Sequence, residues 1–278
     1  MRPALTYGAA IWHTPTKSQS NTGQGVAAKL GKIQNKCLRT VTGAYKATPT
    51  RTLEVEAYVP PMDLFLDSRI AAFQARLAGS KVEQFIDNTC RQIQARIRNR
   101  RGRKAAQTKS VGERKREWIR EREKQTQERQ PGQAIPEKKR VLVAWKERWQ
   151  ARETALQEQG KEDVWDQIKR PPDPAILQLH TSLRKAESSV LIHLRTGRIG
   201  LCYFLRKVRV PGYESGQCRC GTGQETPRHV LLYCPDEEEH REFLRGAQGQ
   251  HLDFRKLLDT VKGARAASRW MIKSGRIA

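Results

Sequence analysis

Between Arg91 and Arg140 the chain carries 18 Lys/Arg against 6 Asp/Glu, which is half of its net charge of +24 in less than a fifth of its 278 residues. Runs such as RIRNRRGRK and GERKREWIREREK offer almost nothing to fill a core. Ordering and desolvating such side chains is not offset by apolar burial. The segment is therefore expected to be a solvated basic helix or a disordered arm, and the residues on either side must build their own cores. The Glu/Arg interleaving at 113–129 favours a helix supported by i,i+4 pairs. Trp118 is the lone aromatic there, suited to stacking on a base or to covering a neighbouring surface.

The flanks read as helical. Val26, Leu30, Ile33, Cys37 and Val41 form one stripe that ends at Gly43. A short helix from Thr50 stops before Pro60-Pro61, and Leu66, Ile70, Phe73 and Leu77 form a further stripe up to Gly79. Beyond the basic segment, Leu142, Trp145, Trp149 and Leu156 lie on one side of a helix capped at Gly160. Asp173-Pro174 opens another that carries Leu177, Leu183, Val190, Leu191 and Leu194. A last helical pair holds Phe254, Leu257, Leu258, Val261 and Trp270. No long strand and no repeat of fixed period is expected. The fold class is mostly α: small helical bundles joined by a long basic helical or disordered segment, with a C-terminal unit like a zinc knuckle. The divisions fall at 1–80, 81–140 and 141–278, with the knuckle at 216–236. With 37% hydrophobic residues and no run of 18 apolar ones, nothing is expected to span a membrane, and the opening MRPALTYGAAIW is too weakly basic and too quickly polar for a secretory leader.

The stretch CRCGTGQETPRHVLLYC places Cys218, Cys220, His229 and Cys234 within seventeen residues. Zinc prefers four soft or borderline ligands in a tetrahedron, and Cys3His is a closed structural set with no position left for hydrolytic chemistry. Glycines at 216, 221 and 223 let a loop bend around an ion, while Thr226-Pro227 starts a helix that carries His229 in its first turn. One structural zinc ion is the expected cofactor, and such binding supplies about 10–16 kcal/mol in small peptides. The rival reading is a small core holding reduced thiols and an ordinary histidine. The single residue between Cys218 and Cys220 is shorter than the usual two to four, so Cys202 or His240 could substitute for a ligand. His193 and His251 are read as structural.

Three blocks, RPALTYGAAIWHTP, KLGKIQNKCLRTVTGAYKATPTRTLEVEAYVPPMDLFL and HLRTGRIGLCYFLRKVRVPGYESGQCRCGTGQETPRHVLLYC, resemble the region that follows the polymerase core in non-LTR (LINE-like) retrotransposon polyproteins of the fungal type. The likeness covers about 1–80 and 185–235, with the basic middle similar only loosely. It implies that 1–80 is a helical connector and that 216–236 is a knuckle of the C-x(1–3)-C-x(7–8)-H-x4-C kind, short first gap included. A reverse transcriptase needs paired catalytic aspartates, and this chain has no Asp-Asp. Nor does it show the spaced acidic residues of a ribonuclease H. The expectation is a non-enzymatic part of such a polyprotein, with no catalytic residue.

Taken together, these readings predict a nucleic-acid-binding chain. A field of this sign attracts polyanions. The candidate phosphate contacts are Arg98, Arg100, Arg101, Arg103, Lys104, Arg114, Lys115 and Arg116. The partner would be RNA or DNA, as element transcript or target, with no membrane and no small-molecule substrate. The expected location is the nucleus, or a cytoplasmic ribonucleoprotein. The alternatives are a protein-interaction scaffold and the non-functional remnant of a decayed retroelement. Oligomeric state is not fixed by the sequence.

Overall fold

The computed structural model describes residues 6–13, 25–77, 79–101, 117, 137–160 and 169–277. Among these the protein is mostly helical and has no strand, only an isolated antiparallel bridge between Gln217 and Gln224. The α-helices are α1 (Ala9–Trp12), α2 (Gly25–Thr42), α3 (Thr50–Glu56), α4 (Met62–Leu77), α5 (Lys81–Arg101), α6 (Glu137–Glu158), α7 (Lys185–Thr196), α8 (Cys202–Lys207), α9 (Glu242–Gln248), α10 (Phe254–Asp259) and α11 (Val261–Lys273). No helix among the described residues is long and apolar enough to cross a membrane. The chain divides into two compact units, Met1–Ile33 with Pro60–Glu147, and Gln34–Val59 with Arg148–Ala278.

In the first unit α1 packs on α4. Ala9, Ala27, Met62 and Leu66 form a core, flanked by Trp12, Leu30 and Phe65. His13 and Asp67, both buried, meet at 2.8 Å beside it. α2 carries residues of both units, Gly25–Ile33 of the first and Gln34–Thr42 of the second, and its buried face is not the apolar stripe. Val26, Ile33 and Val41 are exposed, whereas Ala27, Gln34, Leu38 and Thr42 are buried. Two polar residues can occupy that face because each has a partner. The Gln34 amide donates to Glu54, and the Thr42 hydroxyl to the Leu38 carbonyl.

In the second unit Leu38 and Leu53 cluster with Ile192 of α7, so the 34–59 segment packs on a helix more than 130 positions further along. α11 packs against α7, α9 and α10, and Leu191, Leu194, Leu244, Leu257, Leu258 and Met271 are buried there. A charge also sits in this interior. Arg195, 1% exposed, pairs with Glu56 at 2.8 Å and Asp259 at 3.1 Å and donates to the Leu258 carbonyl. Burial opposes its charge, but the two carboxylates outweigh it and hold the guanidinium pKa above its ordinary value. The helix expected from Asp173 is divided. Asp173 caps a 3-10 turn over Pro174–His180 by accepting from the Ala175 N–H at 2.8 Å, and α7 starts afresh at Lys185.

A candidate metal centre

Cys218 and Cys220 sit on a tight turn. The Cys218 N–H donates to the Gly223 carbonyl at 2.8 Å, and the Gly221 N–H closes back on the Cys218 carbonyl at 2.9 Å. Gly221 has φ +72°, a left-handed conformation that other residues adopt only at a cost. The Gln217–Gln224 bridge fixes the base of this loop.

The other two donors come from the turn that follows. The Thr226 hydroxyl accepts from the His229 N–H at 3.2 Å, the capping role expected of it. On an α-helix, at 3.6 residues per turn, His229 and Cys234 would lie about 140° apart. Residues His229–Tyr233 instead form a single π turn, closed by the Cys234 N–H on the His229 carbonyl at 2.8 Å. This i→i+5 bond widens the turn and returns Cys234, five positions on, to the side of His229.

The two arms converge. The Cys218 and Cys234 sulfurs are 3.6 Å apart, Cys220 Sγ is 3.3 Å from His229 Nε2, and all four donor atoms lie within 4.8 Å of one another. A tetrahedral ion about 2.3 Å from sulfur and about 2.0–2.1 Å from nitrogen sets donor separations of roughly 3.5–3.8 Å. The four residues expected from the sequence therefore lie together and could hold a metal ion, one residue between the first two cysteines notwithstanding. Cys218 and Cys234 are buried, and Cys220 lies on the open side. The Thr222 hydroxyl beside Cys220, at 3.1 Å, pulls that thiol down to about 6. Burial, reinforced by the contact with Cys218, pushes Cys234 up to about 11. One sulfur is thus ready as a thiolate at neutral pH, while another needs a cation beside it to lose its proton.

A guanidinium that the sequence reading missed also touches the cluster, and burial keeps Cys234 raised even with that charge beside it. Arg276, its side chain 1% exposed, donates from Nη1 to Cys218 Sγ at 3.1 Å and from Nη2 to Cys234 Sγ at 3.3 Å. The same guanidinium reaches Glu237 at 2.6 Å, Glu225 at 2.9 Å and Asp236 at 3.6 Å. Burial works against its charge, but the bonds to Glu237, Cys218 and Glu225 prevail and raise its pKa. No local motif marks it; it is one arginine among many, 42 positions after Cys234.

Neither proposed substitute joins the cluster. The Cys202 N–H donates to Glu225, and burial holds the Cys202 thiol up at about 11, while His240 faces Glu237 at 3.4 Å. His193 is packed as a structural residue, 3.0 Å from the Gly43 carbonyl and stacked on Tyr45. Of the candidate phosphate contacts, Arg98, Arg100 and Arg101 fall in the last turns of α5. Arg103, Lys104, Arg114, Lys115 and Arg116 lie outside the described residues, as does Trp118. Four protein donors fill a tetrahedral shell, so the arrangement is suited to holding two chain segments together. No protein-family model, no curated protein and no solved structure matches this chain.

Proposed function

We propose that this chain is the nucleic-acid-binding, non-catalytic C-terminal part of a non-LTR retrotransposon reverse transcriptase polyprotein. In this reading one structural zinc ion on Cys218, Cys220, His229 and Cys234 holds the knuckle, and the basic segment contacts the phosphates of RNA or DNA in the nucleus. The observation that carries it is the four-donor cluster: its spacing matches the knuckle that the family resemblance implies, and its four donor atoms lie within 4.8 Å of one another, close enough to gather around one ion. The excess of positive charge in 91–140 supplies the attraction for a polyanion. When bound, zinc would contribute fixed tetrahedral bonds in place of a larger apolar core.

The test is a titration of labelled single-stranded RNA at several salt concentrations. If the eight named Lys/Arg contact phosphate, log K falls against log salt with a slope of about −5 to −6. Replacing Arg100, Arg101 and Arg103 with Gln lowers that slope by about 2 and weakens binding equally across unrelated sequences. A flat salt response rejects the proposal. It would favour instead a protein-interaction scaffold, for which the exposed Val82, Phe85 and Ile93 of α5 offer an apolar contact surface.

A further inference from the structure

α11 ends at Lys273, and Ser274 still closes on it, its N–H donating to the Trp270 carbonyl at 2.9 Å, but the two residues that follow are weakly held by their own backbone. The Gly275 N–H reaches the Ile272 carbonyl at 3.4 Å, and the Arg276 N–H reaches Ser274 Oγ at 3.4 Å, both long for hydrogen bonds. What fixes the segment is the Arg276 side chain, which is wholly enclosed and forks between Cys218 and Cys234, one from each arm of the knuckle.

The charge balance gives this contact a direction. Three thiolates and one divalent ion leave a Cys3His centre with a net charge of −1, and a guanidinium against two of the sulfurs offsets it. A protonated thiol is a poor acceptor, whereas a metal-bound thiolate accepts a charge-assisted bond. Hydrogen bonds to ligand atoms from outside the ligand shell typically change metal affinity by 10–100-fold. Glu225, Glu237 and Asp236 restrain Arg276 even without thiolates, which keeps the guanidinium aimed at the sulfurs.

We infer that Arg276 is a positioning residue for the metal centre and that it couples metal loading to the closure of Ser274–Ile277 over the knuckle. This rests on the zinc reading above. Linkage makes the effect reciprocal: whatever the docked segment adds to metal affinity, the metal returns to docking.

The experiment uses the full chain and zinc or cobalt(II) alone. Zinc affinity is measured by chelator competition for the wild type, Arg276→Gln and Arg276→Lys. Amide hydrogen exchange at 274–277 is followed in the wild type with and without zinc. Arg276→Gln is expected to weaken zinc binding 10–100-fold. Arg276→Lys keeps the charge but cannot span both sulfurs, and falls between. In the cobalt-loaded protein Arg276→Gln moves the sulfur-to-metal charge-transfer band to longer wavelength, a change that general destabilisation does not produce. Zinc slows exchange at 274–277 in the wild type. Equal zinc affinities in all three proteins, or exchange at 274–277 indifferent to zinc, overturn the inference while leaving the zinc reading intact. A wild type that takes up no zinc overturns both. Should Arg276→Gln fail to fold, the wild-type exchange comparison decides.

Discussion

Glu187 shows how much one carboxylate can do at a helix start. It accepts from the Arg184 N–H at 2.9 Å, inside the first turn of α7, and from Arg269 of α11 at 2.9 Å. The backbone bond, partly opposed by burial and helped by Arg269, holds its carboxyl below the usual range. A depressed carboxylate stabilises the folded state at neutral pH, and that contribution disappears as pH falls through the folded pKa. Glu187→Gln should therefore cost about 1 kcal/mol in urea unfolding at pH 7. The gap between variant and wild type should narrow as pH falls below the ordinary carboxylate range and close once it has passed through the depressed folded pKa. A gap independent of pH would show that the side chain acts through packing alone. At this scale the sequence was informative where chemistry is local. Four residues of special donor chemistry, a turn glycine and a capping threonine lie within one short stretch. It was uninformative where a common residue type acts from afar, as Arg276 does. It misled on α2, because Gln34 and Thr42 look like surface residues until their hydrogen-bond partners are known.

Helix ends were legible for a related reason: caps are written in adjacent residues. α2 stops before Gly43, α6 stops just short of Gly160, and α10 and α11 form the helical pair expected in the last part of the chain. The π turn was not legible, since the spacing of His229 and Cys234 fits several local geometries. Close approach between α10 and α11 was equally hidden. A Cβ on Gly263 would stand 2.7 Å from the Leu257 carbonyl oxygen and 2.8 Å from the Leu257 Cα, backbone atoms that cannot swing aside. In an open helix Gly→Ala stabilises by roughly 0.5–1 kcal/mol. Here Gly263→Ala should instead destabilise by about 1–3 kcal/mol, through forced separation of the two helices. A lowered urea midpoint with unchanged slope would fit this. A raised midpoint would mean that the helices part without cost.

Across the whole molecule the helical class was readable from the sequence, because stripe periods and breakers repeat along both flanks. Which segments share a core was not, because partners such as Leu53 and Ile192 are joined by no local pattern. The buried Arg195 makes this matter in practice. Its carboxylate partner Glu56 lies 139 positions earlier in the chain. A polypeptide begun at residue 141 would keep the guanidinium in the interior and leave that partner behind, at a cost of about 3–5 kcal/mol. Such a truncation should melt well below the intact protein by circular dichroism, and a synthetic 34–59 peptide added in trans should recover part of the loss. Melting unaffected by either change would mean that Asp259 alone neutralises the site. The smallest self-sufficient piece of this half is therefore discontinuous. Anyone trimming the protein for crystals or for a minimal binder has to carry two stretches of the polypeptide, not one.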